Sequence, residues 1–219
     1  MQAQQPNTDG RRTLLLIAGI PVTIILAASW LWWFVVQGNL DIVEVLGTAN
    51  KGELVTPPRS LAEAETVLPS GNPLPWVNSD RQWTLLVANA GASCGAQCEH
   101  NLYLTRQIHT AMGKYFPRLR RFYIGDHAAA QTGLDVASLS DSNPVPANLE
   151  RLLERDHPGL TVLEVAPAEY RALFPETTSA ADTWYLADPA GWIMMSYNAG
   201  DNYKDVISDL KFLLKNSGN

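Results

Sequence analysis

Thr13 to Val36 runs without a charged side chain, and this stretch constrains the chain more than any other. Backbone N–H and C=O groups inside lipid must be satisfied within the segment, so a single such run crosses a bilayer as a helix. As a helix it is about 36 Å long, against a hydrocarbon core of ~30 Å. Gly19 and Pro21 are tolerated in that setting. Trp30, Trp32 and Trp33 gather at the far end, where interfacial anchors sit. Ala27-Ala28-Ser29 has the small residues of a signal cleavage site. Seven further apolar residues follow at once, so the run favours an uncleaved anchor. Arg11 and Arg12 precede it, and no Lys or Arg follows until Lys51. The positive-inside rule then puts the N-terminus in the cytoplasm and residues beyond about 37 outside it. The expectation is a single-pass inner-membrane protein whose C-terminal domain lies in a periplasm or a mitochondrial intermembrane space. Both compartments permit disulfide chemistry.

The chain divides accordingly. Residues 1–12 form a polar, unstructured cytoplasmic tail and 13–36 the transmembrane helix. Residues 37–80 are a linker and N-terminal extension, and 81–219 an α/β domain. Within the extension Asn50-Lys51-Gly52-Glu53 reads as a turn. Pro57-Pro58 and the prolines up to Pro75 resist regular structure. Leu61 to Leu68 reads as a short helix or an edge segment. The stretch is too long for a plain linker and is expected to pack across the domain and carry a small hairpin.

From Arg81 strands alternate with helices. Trp83–Asn89, Leu119–Ile124 and Leu160–Val165 read as strands. Cys98–Phe116, closed by Pro117, reads as a helix. Ala128–Asn143 is irregular, and Pro146–Arg155 and Pro167–Phe174 are helical. Asp182–Ala187 and Trp192–Tyr197 form a hairpin around Asp188-Pro-Ala-Gly191. Asn202–Leu214 is a last amphipathic helix. This order is that of the thioredoxin-like fold, a central mixed sheet flanked by helices.

The only two cysteines are Cys94 and Cys98, between the first of these strands and its helix. That setting puts Cys94 near a helix N-terminus, where the dipole and unpaired N–H groups lower a thiol pKa. Cys94 is therefore expected to be the more acidic and more exposed thiol. Cys98 follows one turn later on the same face. Two thiols so placed exchange disulfides or share a soft metal ion. A purely structural bridge is the competing reading. It would close about five residues, worth only ~2 kcal/mol by loop entropy, and would strain a regular helical turn.

Net charge is −6 and no basic stripe dominates, so nucleic acid is not an expected partner. Lys114, Arg118, Arg120 and Arg121 read as a solvated helix end and turn on which an acidic partner could dock. Glu99 reads as a helix-start carboxylate, with tuning of Cys94 as the alternative. His100 points away from the sulfurs, His109 is surface or half-buried, and His157 before Pro158 is solvated. His127, after Gly125-Asp126 at a strand end, is the outside candidate for a metal ligand. No phosphate-binding loop, nucleophile elbow or zinc-protease helix occurs.

Residues 45–215 resemble the Sco family, thioredoxin-like proteins that assist assembly of the copper centre of cytochrome c oxidase. The carriers are the apolar strand Trp83–Ala88, Cys94-x-x-x-Cys98, Tyr185-Leu-Ala-Asp-Pro-Ala-Gly191, and the segment Asn50 to Pro58. The resemblance implies a role at oxidase subunit II or beside another assembly factor, with copper as the metal. Two features depart from it. The residue after the second cysteine is usually Pro in that family; here it is Glu99. The family's histidine ligand lies a few residues before the Tyr-Leu-x-Asp-Pro strand, and here Pro175 to Asp182 holds none, with Ala180 near the position. The chain thus reads as a divergent member suited to keeping subunit II cysteines reduced, as a thiol–disulfide oxidoreductase using Cys94 and Cys98. Cu(I) carriage on the two sulfurs, and a non-catalytic assembly scaffold, are the alternatives.

Overall fold

The computed structural model describes residues 8–36, 50–74, 76 and 81–217. The chain forms two compact units, one up to Ala49 and one from Asn50 to Asn219. In the first, helix α1 spans Thr8–Val36 with Pro21 inside it. From Arg12 to Trp33 it is long and apolar enough to cross a membrane, by length and composition. It begins inside the stretch expected to be an unstructured tail. The rest of the tail, 1–7, and the linker over 37–49 lie outside the described residues.

The second unit is built on a six-stranded mixed sheet of order β1-β8-β7-β2-β4-β6. Its strands are β1 Glu53–Ser60, β2 Trp83–Asn89, β4 Leu119–Gly125, β6 Leu160–Glu164, β7 Trp184–Ala187 and β8 Trp192–Tyr197. β2, β4 and β6 run parallel, while β7, β8 and β1 add antiparallel strands on the other side of β2. Every residue of β2 is buried, as befits a central strand covered on both faces. A second, two-stranded sheet pairs β3 Ser93–Gly95 with β5 Gly133–Asp135. The helices are α2 Ala96–Ala111, α3 Leu149–Asp156, α4 Pro167–Leu173 and α5 Tyr203–Asn216.

Alternation along β4 explains the two layers. Leu119 and Tyr123 face α2, whereas Phe122 and Ile124 face Leu61, Trp76 and Phe174. The thioredoxin-like architecture expected from the sequence is therefore present. Several details depart from expectation. Pro57 and Pro58 lie inside β1 rather than in irregular chain. β1 is an edge strand, and its pairing with β8 breaks between Leu54 and Arg59, where missing N–H groups cost nothing. Of the two readings of Leu61–Leu68, the helix is absent and the edge segment is the one found. Val67 bridges Pro73 and Glu164. α2 stops at Ala111 because Gly113 adopts φ +56°, and Pro117 falls in a following 3-10 turn, Gly113–Arg118. α3 starts after Asn148, whose side chain accepts from the Arg151 N–H, so Pro146 lies outside it.

The extension is locked to the domain by one buried carboxylate. Asp209 of α5 accepts the Lys51 N–H at 2.7 Å and the Gly52 N–H at 3.2 Å. It also accepts the Tyr197 hydroxyl at 3.4 Å. Gly52 lies against the Tyr197 ring, which stacks on Trp184 at 4.6 Å.

Candidate functional site: the Cys94–Cys98 disulfide

β2 ends at Asn89, and the chain turns through Gly91 at φ +78°, a conformation that favours glycine. The Asp126 carboxylate accepts the Gly91 N–H at 2.6 Å, and Asn89 Nδ2 donates to the Ser93 carbonyl at 3.2 Å. These bonds aim β3 across the sheet end. Cys94 lies in β3 opposite Leu134 of β5. Gly95 is the N-cap of α2 and supplies no side-chain cap. Cys98 is therefore in the first turn, where backbone N–H groups lack intrahelical partners. The two cysteines form a disulfide with Cα atoms 5.3 Å apart.

Cys94 thus directly precedes the N-cap, near the helix N-terminus as expected, but it lies in β3, which corrects the placement of the two cysteines one helical turn apart on the same face. Extended backbone at Cys94 and helical backbone at Cys98 let the bridge close without bending a helical turn. The greater exposure expected of Cys94 is also corrected: Cys94 is 0 % exposed and Cys98 6 %. Both belong to an apolar cluster with Val87, Leu102, Tyr123, Leu139, Leu149 and Leu152. Burial raises the Tyr123 phenol pKa well above its ordinary value, so it is a neutral member of that cluster.

The cover is the segment after β4, which the sequence marked only as irregular. It contains β5, and Leu139 packs into the disulfide cluster. The following turn is fastened to α2. Glu99, buried, accepts the Ser140 N–H at 3.0 Å and the Ser140 hydroxyl at 2.7 Å. With the hydroxyl proton committed there, His100 Nδ1 at 3.2 Å is the donor to Ser140 Oγ. Arg106 pairs with Asp141 at 3.0 Å. Burial opposes ionisation of Asp141, but hydrogen bonds from the Asn143 N–H and from Arg106 outweigh it and hold its pKa below the usual range. Glu99 is thus a clasp more than a dipole partner. Its reach to a residue 41 positions away left no trace in local sequence pattern.

Other histidines stand elsewhere. His127 is partly exposed, with Nδ1 held by Asp126 at 2.8 Å. His109 stacks on Phe116 at 3.9 Å. His157 is buried, not solvated: its Nδ1 accepts from Arg121 Nη2 at 2.8 Å. Burial first, then Arg121 and Arg106, depress its pKa to about 3. Of the basic cluster only Lys114 is an exposed residue of the helix end; the arginines are not solvated. Arg118 donates to the Leu214 and Ser217 carbonyls at the end of α5. Arg121 is buried in β4. Among the described residues no group of three or more His, Cys, Asp or Glu is arranged to hold a metal ion. The residues present therefore do not fit a three-donor copper site. Ala180, in the turn before β7, carries no donor side chain.

A family model described as transmembrane-like, thioredoxin-like, C-terminal domain matches residues 83–217. No curated protein matches the sequence. Among solved structures, the chain is similar to apo Sco1 from Thermus thermophilus at 16% identity, covering 76% of this chain and 98% of that one, with a TM-score of 0.51. It is similar to yeast Sco1 at 17% identity, covering 74% of this chain and 97% of that one, with a TM-score of 0.50. At these identities the likeness is one of fold.

Proposed function

The chain belongs to the family of transmembrane-like, thioredoxin-like C-terminal domains, and we propose that it is a membrane-anchored thiol–disulfide protein working through Cys94 and Cys98. One observation carries this reading. The disulfide closes a loop too short to matter as a staple, about 2 kcal/mol, yet it occupies the junction where the central strand hands over to the first domain helix. A domain with three apolar clusters does not need it to fold.

With both cysteines reduced, one thiolate attacks a partner's disulfide, forming a mixed disulfide and releasing one partner thiolate. The second cysteine attacks the mixed disulfide, releasing the other partner thiolate and forming Cys94–Cys98. Two electrons pass to the partner. Uncapped N–H groups at the start of α2 stabilise the thiolate state.

The Sco-like sequence features and the shared fold support a finer reading: the partner is subunit II of cytochrome c oxidase, whose copper-site cysteines the protein keeps reduced. Copper carriage on two sulfurs alone is the weaker reading, since the third donor is missing. Arg11-Arg12 and the Trp30–Trp33 belt support an orientation with the domain outside the cytoplasm. The test is to replace both cysteines by Ser in the cell and measure the thiol state and copper content of subunit II. The reading expects oxidised subunit II cysteines and lost copper. Full copper loading would leave only a scaffold role.

A further inference from the structure

The sheet has two outer strands, β1 and β6. β1 carries Pro57 and Pro58, which have no N–H to offer a further strand. β6 has no such guard. Glu164 exchanges both of its backbone bonds with Val67, giving its N–H at 2.8 Å and accepting at 2.9 Å. On the inner side the Val165 N–H donates to the Gly125 carbonyl at 3.0 Å. Backbone groups alternate sides along a strand, so Thr161 and Leu163 face β4, while Val162 turns its N–H and C=O outward, as Glu164 does. The Leu160 N–H is taken by the His157 carbonyl at 3.1 Å, but its C=O also points outward. The segment that covers Glu164 does not go on to cover these groups. It turns back after Val67, with the Gly71 N–H donating to the Leu68 carbonyl at 2.8 Å. In an antiparallel pairing Pro69 would come next, against Val162, and it has no N–H.

Beside this open stretch lies a groove of about 480 Å³ between β6 and α3. Leu153, Leu160 and Val162 give it apolar surface. Leu160 and Val162 pack on the cluster that holds Leu153, and Glu164, two residues on, projects from the same face of the strand. Glu150 and Glu154 lie one helical turn apart on α3. All three glutamates line the groove, and no Lys or Arg does. Glu154 meets Arg151 in an exposed pair, which is weak in water. Among the described residues no basic side chain pairs with Glu150 or Glu164.

We propose that the open edge of β6 takes an extended basic segment of a partner protein as an added strand. Main-chain bonds to Val162 and Leu160 supply the pairing, and side chains at alternate positions supply the selection. An apolar side chain enters the groove, and Lys or Arg two residues to either side meets the glutamates. A second copy of this chain would set the same glutamates against each other. Residues 37–49 carry Asp41 and Glu44 and no Lys or Arg. Charge therefore selects a basic partner over both.

The test uses the full chain in neutral detergent micelles and the acetylated, amidated peptide Thr-Lys-Thr-Val-Thr-Lys-Thr. Binding and hydrogen exchange at the Val162 N–H are followed by NMR. In the free protein that N–H should exchange readily at every protein concentration. The peptide should bind saturably and slow the exchange about tenfold or more. The same peptide with Glu in place of Lys should bind about tenfold more weakly or worse. Glu150→Lys combined with Glu154→Lys, both accessible to solvent, should reverse that preference with the fold intact. Absence of saturable binding overturns the proposal. So does binding that leaves the Val162 exchange unchanged, or that the charge reversals do not affect. Protection of Val162 in the free protein also overturns it, in favour of a second copy if it rises with protein concentration and of the chain's own segment if it does not.

Discussion

The Glu99 carboxylate holds Ser140 twice, through its backbone N–H at 3.0 Å and its hydroxyl at 2.7 Å. Glu99 follows Cys98 directly, and Ser140 follows Leu139, which packs into the disulfide cluster. One residue therefore ties the reactive turn to its own cover. Hydrogen bonds to charged groups contribute about 1.5–3 kcal/mol each, and about 1.4 kcal/mol is a tenfold change in an equilibrium. Glu99→Ala should raise the rate of disulfide reduction by dithiothreitol about tenfold or more. Trapping of free thiols over time measures it. An unchanged rate would mean that the segment does not limit access to the sulfurs.

Stability should fall on acidification well before the carboxylates titrate. His157 is held neutral down to about pH 3, first by burial and then by Arg121 and Arg106. Unfolded, it protonates at its ordinary 6.5. Its contribution is thus complete above 6.5 and is lost as pH falls toward 3, by up to about 1.4 kcal/mol per pH unit. Denaturant unfolding at pH 7, 6 and 5 should show this slope. His157→Gln, which keeps an acceptor for Arg121, should flatten it. An equal slope in the variant would contradict the assignment.

Much of this was legible in the sequence, and the reasons for the exceptions differ. Trp83–Asn89 announced itself as a buried strand because every position is covered. Trp192–Tyr197 was legible from its turn. The position of Cys94 was not, because β3 exists only through pairing with Gly133–Asp135, far along the chain. Local pattern saw a turn into a helix and missed the strand. Pro57 and Pro58 misled because an edge strand tolerates what an inner strand does not. Arg121 and His157 looked solvated because charge and a following proline usually mean surface. Each is buried by the other, at 2.8 Å.

Gly52→Ala should destabilise the domain. A Cβ there meets the Tyr197 ring at 2.4 Å, and that ring is wedged against Trp184. Overpacking of this kind costs about 1–3 kcal/mol, which for a domain of this size lowers Tm by roughly 2–12 °C. Thermal unfolding followed by circular dichroism measures it. A variant as stable as the parent would show that the extension is not anchored at this ring.

The central claim is that Cys94 and Cys98 exchange electrons and do not merely brace the fold. Thiol trapping across a graded redox buffer measures their midpoint potential directly. Structural disulfides in exported proteins lie below about −300 mV, and exchanging pairs lie above it. The account predicts one two-electron transition above −300 mV, with the domain folded in both states. A midpoint below −300 mV, or unfolding on reduction, would contradict it.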